Sequence, residues 1–243
     1  MNALLKLSTV ELKLLVRNKT VAVTAIALPL MFGAFLVANR DATAMHGGWP
    51  AVVALQFVSL LGFTVYVSVT TTLAARRQDL YLKRLRSGEV SDGAILGGMM
   101  VPFAVLGVAQ AVVILIYISV NGAPVPADPV ALVLALIVGV AVSMAVGVVT
   151  SAVTATAEMA QITTAPFFFA LLGGAIWALT NPGDVLPLIA PGGAVTDLVS
   201  RAWDDGGIAA HLGDALPALG ISAVWVIVSV VAAGRLFRWE PRG

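Results

Sequence analysis

The sequence contains no cysteine, which excludes a disulfide framework and a thiolate metal site. Charged residues are also scarce: they make up 11% of the 243 residues, whereas soluble domains carry about 25%. A soluble chain of this length needs a charged surface, and too few charges are present to provide one. Since 59% of the residues are hydrophobic, we expect an all-α polytopic membrane protein.

Long apolar runs predict six transmembrane helices. Residues 129–179 carry one charge, Glu158, and at about 1.5 Å per residue they are more than twice as long as the bilayer core is thick. This run must fold back, and its most polar segment, Thr154–Gln161, is the expected turn. The predicted spans are residues 21–37, 50–75, 95–120, 129–153, 162–179 and 216–236 of a transmembrane domain that covers residues 21–243.

Two segments are expected to lie along the membrane rather than across it. Residues 1–20 predict an amphipathic interfacial helix, because Lys6, Lys13 and Arg17 share one stripe at 100° per residue. A plain charged leader is the alternative. Residues 180–217 contain too many prolines for one span, but Leu186–Ile189 and Ala194–Trp203 are apolar enough to form a re-entrant segment before the last span.

The distribution of basic residues predicts the orientation. Six spans place both termini on one side, and twelve of the 14 Lys and Arg residues then lie on that side. Only Arg40 and Arg201 lie on the other, where the loop 180–217 also carries five aspartates. By the positive-inside rule, both termini are cytoplasmic.

The spans lack ionisable groups near their middles. Ion-coupled carriers and pumps need such groups, and a membrane hydrolase needs a nucleophile with a base or a metal cluster. His46 and His211 stand alone in loops, and no G-x-x-x-x-G-K-[ST] occurs. We therefore expect no catalytic residues, no metal site and no cofactor in this chain, and any ATP and Mg²⁺ would have to be bound by a partner.

Two spans have patterned faces. One face of the second span is polar and aromatic, and one side of the fifth is aromatic with small residues. The second-span face consists of Gln56, Ser59, Phe63, Tyr66 and Thr70, and the fifth-span face of Pro166, Phe169, Gly173 and Trp177 with Phe167 beside them. Such faces suit an amphipathic organic substrate. Ordinary helix packing is the alternative for both.

The stretch Arg76–Asp92 carries five basic residues between two apolar runs. As one helix it would have an apolar side, with Leu82 and Leu85, beside the basic residues Lys83, Arg84 and Arg86. An amphipathic helix of this kind can insert its leucines into a groove of a cytosolic partner, while its charges set orientation. Alternatively, these cations only enforce topology and bind anionic lipid.

Together these segments resemble the six-span membrane subunit of ABC transporters of the type-2 exporter class. The resemblance covers nearly the whole chain and rests on the order of several short motifs, with Gln110 in the third span fitting the pattern. The motifs are ELKLLVRNK (11–19), LYLKRLRSGEVS (80–91), AEMAQITTAPFFFALLGG (157–174) and LPLIAPGGAVTDLVSRAW (186–203, with Arg201). Gly88-Glu89 stands where the family usually has a proline.

The resemblance implies a half-transporter of the cell membrane. A second permease copy or close homologue would pair with it, two cytosolic ABC ATPase subunits would bind the loop after the second span, and the second and fifth spans would line the path. The expected substrate is a hydrophobic or amphipathic small molecule, drug- or antibiotic-like, moved outward. Export of a lipid-linked polysaccharide or other lipid, and a non-transporting scaffold, are the alternatives. No nucleic acid is expected as a partner.

Overall fold

The structure is a computed structural model that describes residues 7–10, 12–13, 17, 19, 23–41, 47–87, 91–204 and 212–239. These residues form helices, turns and short connections, with no strand among them. The α-helices are α1 Leu28–Ala38, α2 Gly48–Leu60, α3 Ser68–Gln78, α4 Tyr81–Arg86, α5 Asp92–Val120, α6 Pro129–Val153, α7 Ala160–Thr163, α8 Ala165–Thr180, α9 Pro191–Ser200 and α10 Leu212–Leu236. π-Helical turns at Val23–Ala27 and Leu61–Val67 precede α1 and connect α2 to α3.

Five helical segments of the described chain are long and apolar enough to cross a membrane. They are Gly48–Gln78, Asp92–Val120, Pro129–Val153, Ala160–Thr180 and Gly213–Leu236. They match the second to sixth predicted spans, which confirms an all-helical, membrane-type architecture. The predicted first span is described only from Val23 onward, and its apolar helix, Ala25–Ala38, would extend about 20 Å at about 1.5 Å per residue. A sixth span therefore stays a prediction.

Gly48–Gln78, called the central span below, forms the centre of the bundle and is largely buried by the other helices. The glycines of α6 allow close packing against it. A Cβ at Gly139 would lie 2.3 Å from Leu61 Cδ1, and one at Gly147 would lie 3.0 Å from Val69 Cγ1. Small residues at four-residue spacing let helix backbones approach closely, and in α6 they do so against the central span.

Two prolines leave helix carbonyls without their usual donors, and side chains from elsewhere supply them. Pro29 has no N–H for the Ala25 carbonyl four residues earlier, and Gln110 Nε2 donates to that oxygen at 2.7 Å. Pro102 likewise has no N–H for the Gly98 carbonyl, which instead accepts a hydrogen bond from the Ser8 hydroxyl at 3.1 Å. These bonds join the N-terminal segments to α5.

Residues 186–203 form three short helices, and the middle one, α9, is enclosed by the bundle. The 3₁₀ turns Leu186–Ile189 and Arg201–Trp203 flank α9, whose residues from Pro191 to Thr196 are all buried. Two glycines make this possible: a Cβ at Gly192 would lie 1.7 Å from the Leu171 carbonyl oxygen, and one at Gly193 would lie 2.0 Å from that of Pro187. The two apolar stretches of the predicted loop, Leu186–Ile189 and Ala194–Trp203, are therefore helical.

The prediction placed the end of this loop at Pro217, and that boundary is wrong. Helix α10 begins at Leu212, and Pro217 lies inside it. Pro217 is the sixth residue of α10, so the Gly213 carbonyl lacks its usual N–H donor, and the helix nonetheless continues through this position.

The bundle has one basic and one acidic end. At the basic end, α3 meets the turn after α6, and the described charges there include Arg76, Arg77, Lys83, Arg84, Arg86, Arg235 and Arg238 with Asp79, Asp92 and Glu158. At the acidic end, Asp128 N donates to the Ala202 carbonyl at 2.9 Å, joining two loops. The described charges there are Asp41, Asp128, Asp184, Asp197, Asp204 and Asp214 with Arg40 and Arg201.

Candidate functional surfaces

The second-span face that was predicted to contact substrate is buried within the helix bundle of one chain. Gln56, Ser59, Tyr66 and Thr70 are buried, and Phe63 is half-buried with its ring centroid 4.5 Å from that of Phe168. A substrate would reach this face only if the helices around the central span separate. Its role as a path therefore stays a prediction.

Intrachain hydrogen bonds account for most of the polar groups on that face. Gln56 Nε2 donates to the Pro29 carbonyl at 2.9 Å. The hydroxyls of Tyr66 and Thr150 are 3.1 Å apart, and Thr70 Oγ1 donates to the Tyr66 carbonyl at 2.9 Å. The Gln56 and Tyr66 contacts are interhelical bonds of the kind by which polar side chains join membrane helices, whereas the Thr70 bond lies within the central span. Ser59 Oγ has no hydrogen-bond partner among the described residues.

The fifth-span face, in contrast, points away from the chain. Pro166, Phe169, Gly173 and Trp177 are exposed on one side of α8, and Phe169 is 66% exposed. Phe167 lies on the opposite side, with its ring 4.7 Å from that of Tyr66. Within one chain the two predicted sets therefore meet only at the contact between Phe167 and Tyr66 among the described residues, and the exposed face is available to lipid or to a second copy.

The basic stretch is not one helix. Helix α3 ends at Gln78, and Leu80 has a left-handed backbone with φ 57°, so the chain turns before α4 begins at Tyr81. Arg77, at the end of α3, is buried and donates from Nη2 to the Thr154 carbonyl. This contact attaches the central span to the end of α6.

Helix α4 turns its apolar side inward, which differs from the expectation that both leucines would face a partner. Leu82 is completely buried among apolar residues of α3, α5 and α6, and Leu85 packs partly against the same cluster. The cluster consists of Val69, Leu73, Ile95, Met99, Phe103 and Val148. Because a leucine of a short surface helix gains more from an apolar cluster than from water, α4 docks on its own chain. Lys83, Arg84 and Arg86 remain exposed.

The C-terminal residues contribute to the same surface, which sequence reasoning missed. The Arg86 guanidinium lies 5.1 Å from the centroid of the Trp239 ring and forms an ion pair with Asp92 at 3.4 Å. A groove of about 610 Å³ is lined by Lys83, Arg86, Ser87, Phe237, Arg238 and Trp239. Trp239 next to Arg238 after the last span was the available signal, because guanidinium groups stack readily on indole faces. We call this surface, together with Arg84, the basic surface.

Glu158 lies in the turn between α6 and α7, outside the candidate spans. Hydrogen bonds from its own backbone N–H and from the Thr156 side chain hold the pKa of its carboxyl below the usual range. The group is fully exposed in a turn at the basic end of the bundle, so it stays ionised there rather than in lipid.

The described residues contain no group of three or more His, Asp or Glu side chains placed to hold a metal ion. His46, His211 and the Gly88-Glu89 turn lie outside the described residues. The sequence matches no protein-family model, and a comparison with curated proteins gives no match.

Proposed function

We propose that this chain is the membrane subunit of an ATP-driven exporter and that its basic surface binds a cytosolic ABC ATPase subunit. The observation that supports this is the arrangement of α4: Leu82 anchors the helix on the membrane helices, while Lys83, Arg84 and Arg86 face outward. A helix braced in this way transmits a push from a partner to α3, α5 and α6. No other described segment offers an exposed basic helix fixed to three membrane helices.

The energy source is assigned to the partner because the spans carry no ionisable group near their middles. Such a chain has no means of coupling to an ion gradient, and the sequence has no Walker loop. The partner would bind ATP and Mg²⁺. This division of labour agrees with the resemblance to type-2 exporter permeases.

The orientation follows from the two ends of the bundle. With the basic end in the cytoplasm, the excess of Lys and Arg lies inside, and both termini are cytoplasmic in the cell membrane. Residues 186–203 then form the re-entrant segment on the outer side. The exposed face of α8, with Phe169 and Trp177, faces a second copy across a path for a hydrophobic or amphipathic small molecule.

The experiment that tests the proposal compares Arg84→Glu with Arg235→Glu. Both remove a cation from the basic end, but Arg235 lies on α10 and does not line the basic surface. The tagged full-length chain is purified from its native membrane, bound proteins are identified by mass spectrometry, and ATP hydrolysis is measured.

The wild type and Arg235→Glu are expected to retain a Walker-containing ATPase, and Arg84→Glu is expected to lose it with its membrane insertion intact. A wild-type chain that binds no such ATPase, or an Arg84→Glu chain that retains it fully, contradicts the proposal. If neither the wild type nor Arg235→Glu retains an ATPase while other membrane proteins still copurify, the result favours the alternative function as a non-transporting scaffold.

A further inference from the structure

A second polar cavity lies at the acidic end, far from the basic surface. It has a volume of about 720 Å³ and is bounded by the end of α8, the residues after it, the start of the central span and α9 with its following turn. Its walls combine aliphatic and acidic groups. Its lining includes Leu179 and Leu188 as apolar residues and Asp184, Thr196, Arg201 and Asp204 as polar ones.

The charge of this cavity is negative on balance. Three aspartates line it against one cation, Arg201. Arg201 is already engaged: its Nε and Nη2 donate to the Asp197 carboxylate at 2.8 and 3.0 Å, and Nη2 donates to the Asp214 carbonyl at 2.9 Å. Asp184 and Asp204 therefore supply negative charge that no lining cation balances.

The surroundings of Arg201 show the same excess. Burial lowers the pKa of its guanidinium, but the hydrogen bond and charge of Asp197 and the charges of Asp214 and Asp204 outweigh this effect, so the pKa is raised. One cation is thus surrounded by several carboxylates. A site with such a field favours a further positive charge.

Thr196 provides an independent observation that points to a ligand. Its side chain lines the cavity and is only 2% exposed, yet its hydroxyl has no hydrogen-bond partner among the described residues. The buried hydroxyls of Thr70, Thr164 and Ser222 bond to the carbonyl four residues earlier in their helices, whereas that of Thr196, like those of Ser59 and Ser143, does not; of these three, only Thr196 lines this cavity. A buried polar group without a partner is unfavourable, which makes this hydroxyl oxygen a ready acceptor for a ligand donor.

We propose that this cavity binds a primary or secondary alkylammonium cation. Its N–H groups would donate to the Asp204 or Asp184 carboxylate and to Thr196 Oγ1, while its alkyl chain contacts Leu179 and Leu188. A metal ion fits less well, because no three carboxylates or imidazoles of the described residues are placed to hold one. Binding of the cation to this cavity does not depend on the proposed export function. Only the identification of the bound cation as the exported substrate rests on that function.

The test uses the full-length chain in nanodiscs of zwitterionic lipid without any ATPase. Binding of n-hexylammonium is measured by saturation-transfer NMR and by the rise in unfolding temperature, with n-hexanol and hexyltrimethylammonium as probes that lack the charge or the N–H. The variants are Asp204→Asn, Thr196→Val and Thr196→Ser, and Asp41→Asn is the control, since Asp41 lies at the same end outside the cavity.

The wild type and Asp41→Asn are expected to bind hexylammonium alike. Asp204→Asn is expected to weaken binding about fivefold, the effect of one partly exposed charge pair, and Thr196→Val to weaken it while Thr196→Ser retains it. Absence of hexylammonium binding to the wild type, equal binding of hexanol, or binding unchanged by both Asp204→Asn and Thr196→Val overturns the proposal. If binding follows the expected pattern but no ATPase partner is found, the site stands and the export function fails.

Discussion

The side-chain amide of Gln110 lies 2.7 Å from the Ala25 carbonyl oxygen and donates to it, replacing the N–H that Pro29 lacks. The Thr64 hydroxyl lies 2.7 Å from the same oxygen and 2.7 Å from Gln110 Oε1, and it donates to one of them at a time. A polar side chain of α5 thus compensates for the proline of α1. This network holds the first apolar helix against the central span.

Replacing Gln110 tests this network. Gln110→Leu is expected to lower the free energy of unfolding by about 1 kcal/mol, because the Ala25 carbonyl loses a donor in an apolar environment. In a Pro29→Ala background the helix regains its own N–H, so the same change should cost less. Unfolding of the four variants in detergent gives the double-mutant cycle. If Gln110→Leu lowers the free energy of unfolding equally in both backgrounds, the hydrogen bond to Ala25 does not account for the contribution of Gln110 to stability.

Two glycine positions predict opposite responses to alanine. At Gly192 the new Cβ would lie 1.7 Å from the backbone oxygen of Leu171, so Gly192→Ala must displace α9 and is expected to lower the unfolding temperature strongly. Gly173 lies in α8 with no atom within 4 Å of a new Cβ, so Gly173→Ala should leave the temperature unchanged or raise it slightly. Thermal unfolding in detergent measures both. Similar temperatures for the two variants would contradict the enclosed position of α9.

The orientation is testable with single cysteines, since the chain has none. Val125 is exposed in the loop between α5 and α6 at the acidic end, and Ser87 is exposed after α4 at the basic end. In intact cells, a membrane-impermeant maleimide is expected to label Val125→Cys and not Ser87→Cys. Permeabilised cells, in which both should react, serve as the control. Labelling of Ser87→Cys in intact cells would reverse the proposed orientation.

A comparison of Phe169 with Thr70 tests the proposed path. Phe169→Cys, at an exposed site on α8, is expected to form a disulfide between two copies, whereas Thr70→Cys should be protected because Thr70 is buried in the central span. Reactivity of Thr70→Cys should rise only during ATP turnover, when the helices separate. If Phe169→Cys never cross-links although both variants fold, α8 faces lipid. Rapid labelling of Thr70→Cys without ATP would contradict the burial.

The helices themselves were predictable because their signals are local. The run from Pro129 to Val153 has no charge and lies between a Pro-containing turn and a polar segment, and the structure has a helix with the same bounds. Length and apolar composition suffice for such an assignment, since a helix satisfies its own backbone in lipid. The four-residue spacing of Gly139, Ser143, Gly147 and Ser151 in α6 is likewise a local pattern that favours close packing, because only small side chains let backbones approach.

The direction of each face was not predictable to the same degree. The leucines of α4 formed a recognisable apolar side, but a sequence pattern does not say whether that side meets a partner or the same chain. The residues that bury Leu82 come from α3, α5 and α6, far apart in the sequence. Similarly, the polar face of the central span read equally well as a path or as packing, and the structure places it against neighbouring helices.

By itself, the sequence predicted an all-helical protein of membrane type with six spans, five of which are long apolar helices in the described chain, and with its basic and acidic residues in separate connecting segments. Tertiary structure alone decided which side chains those helices bury, that Gln110 and Ser8 serve carbonyls left by two prolines, and that Thr196 lines an acidic cavity without a partner. The physical reason is range. Apolar length and charge act within one segment, whereas burial and hydrogen-bond satisfaction depend on contacts between segments that meet only after folding.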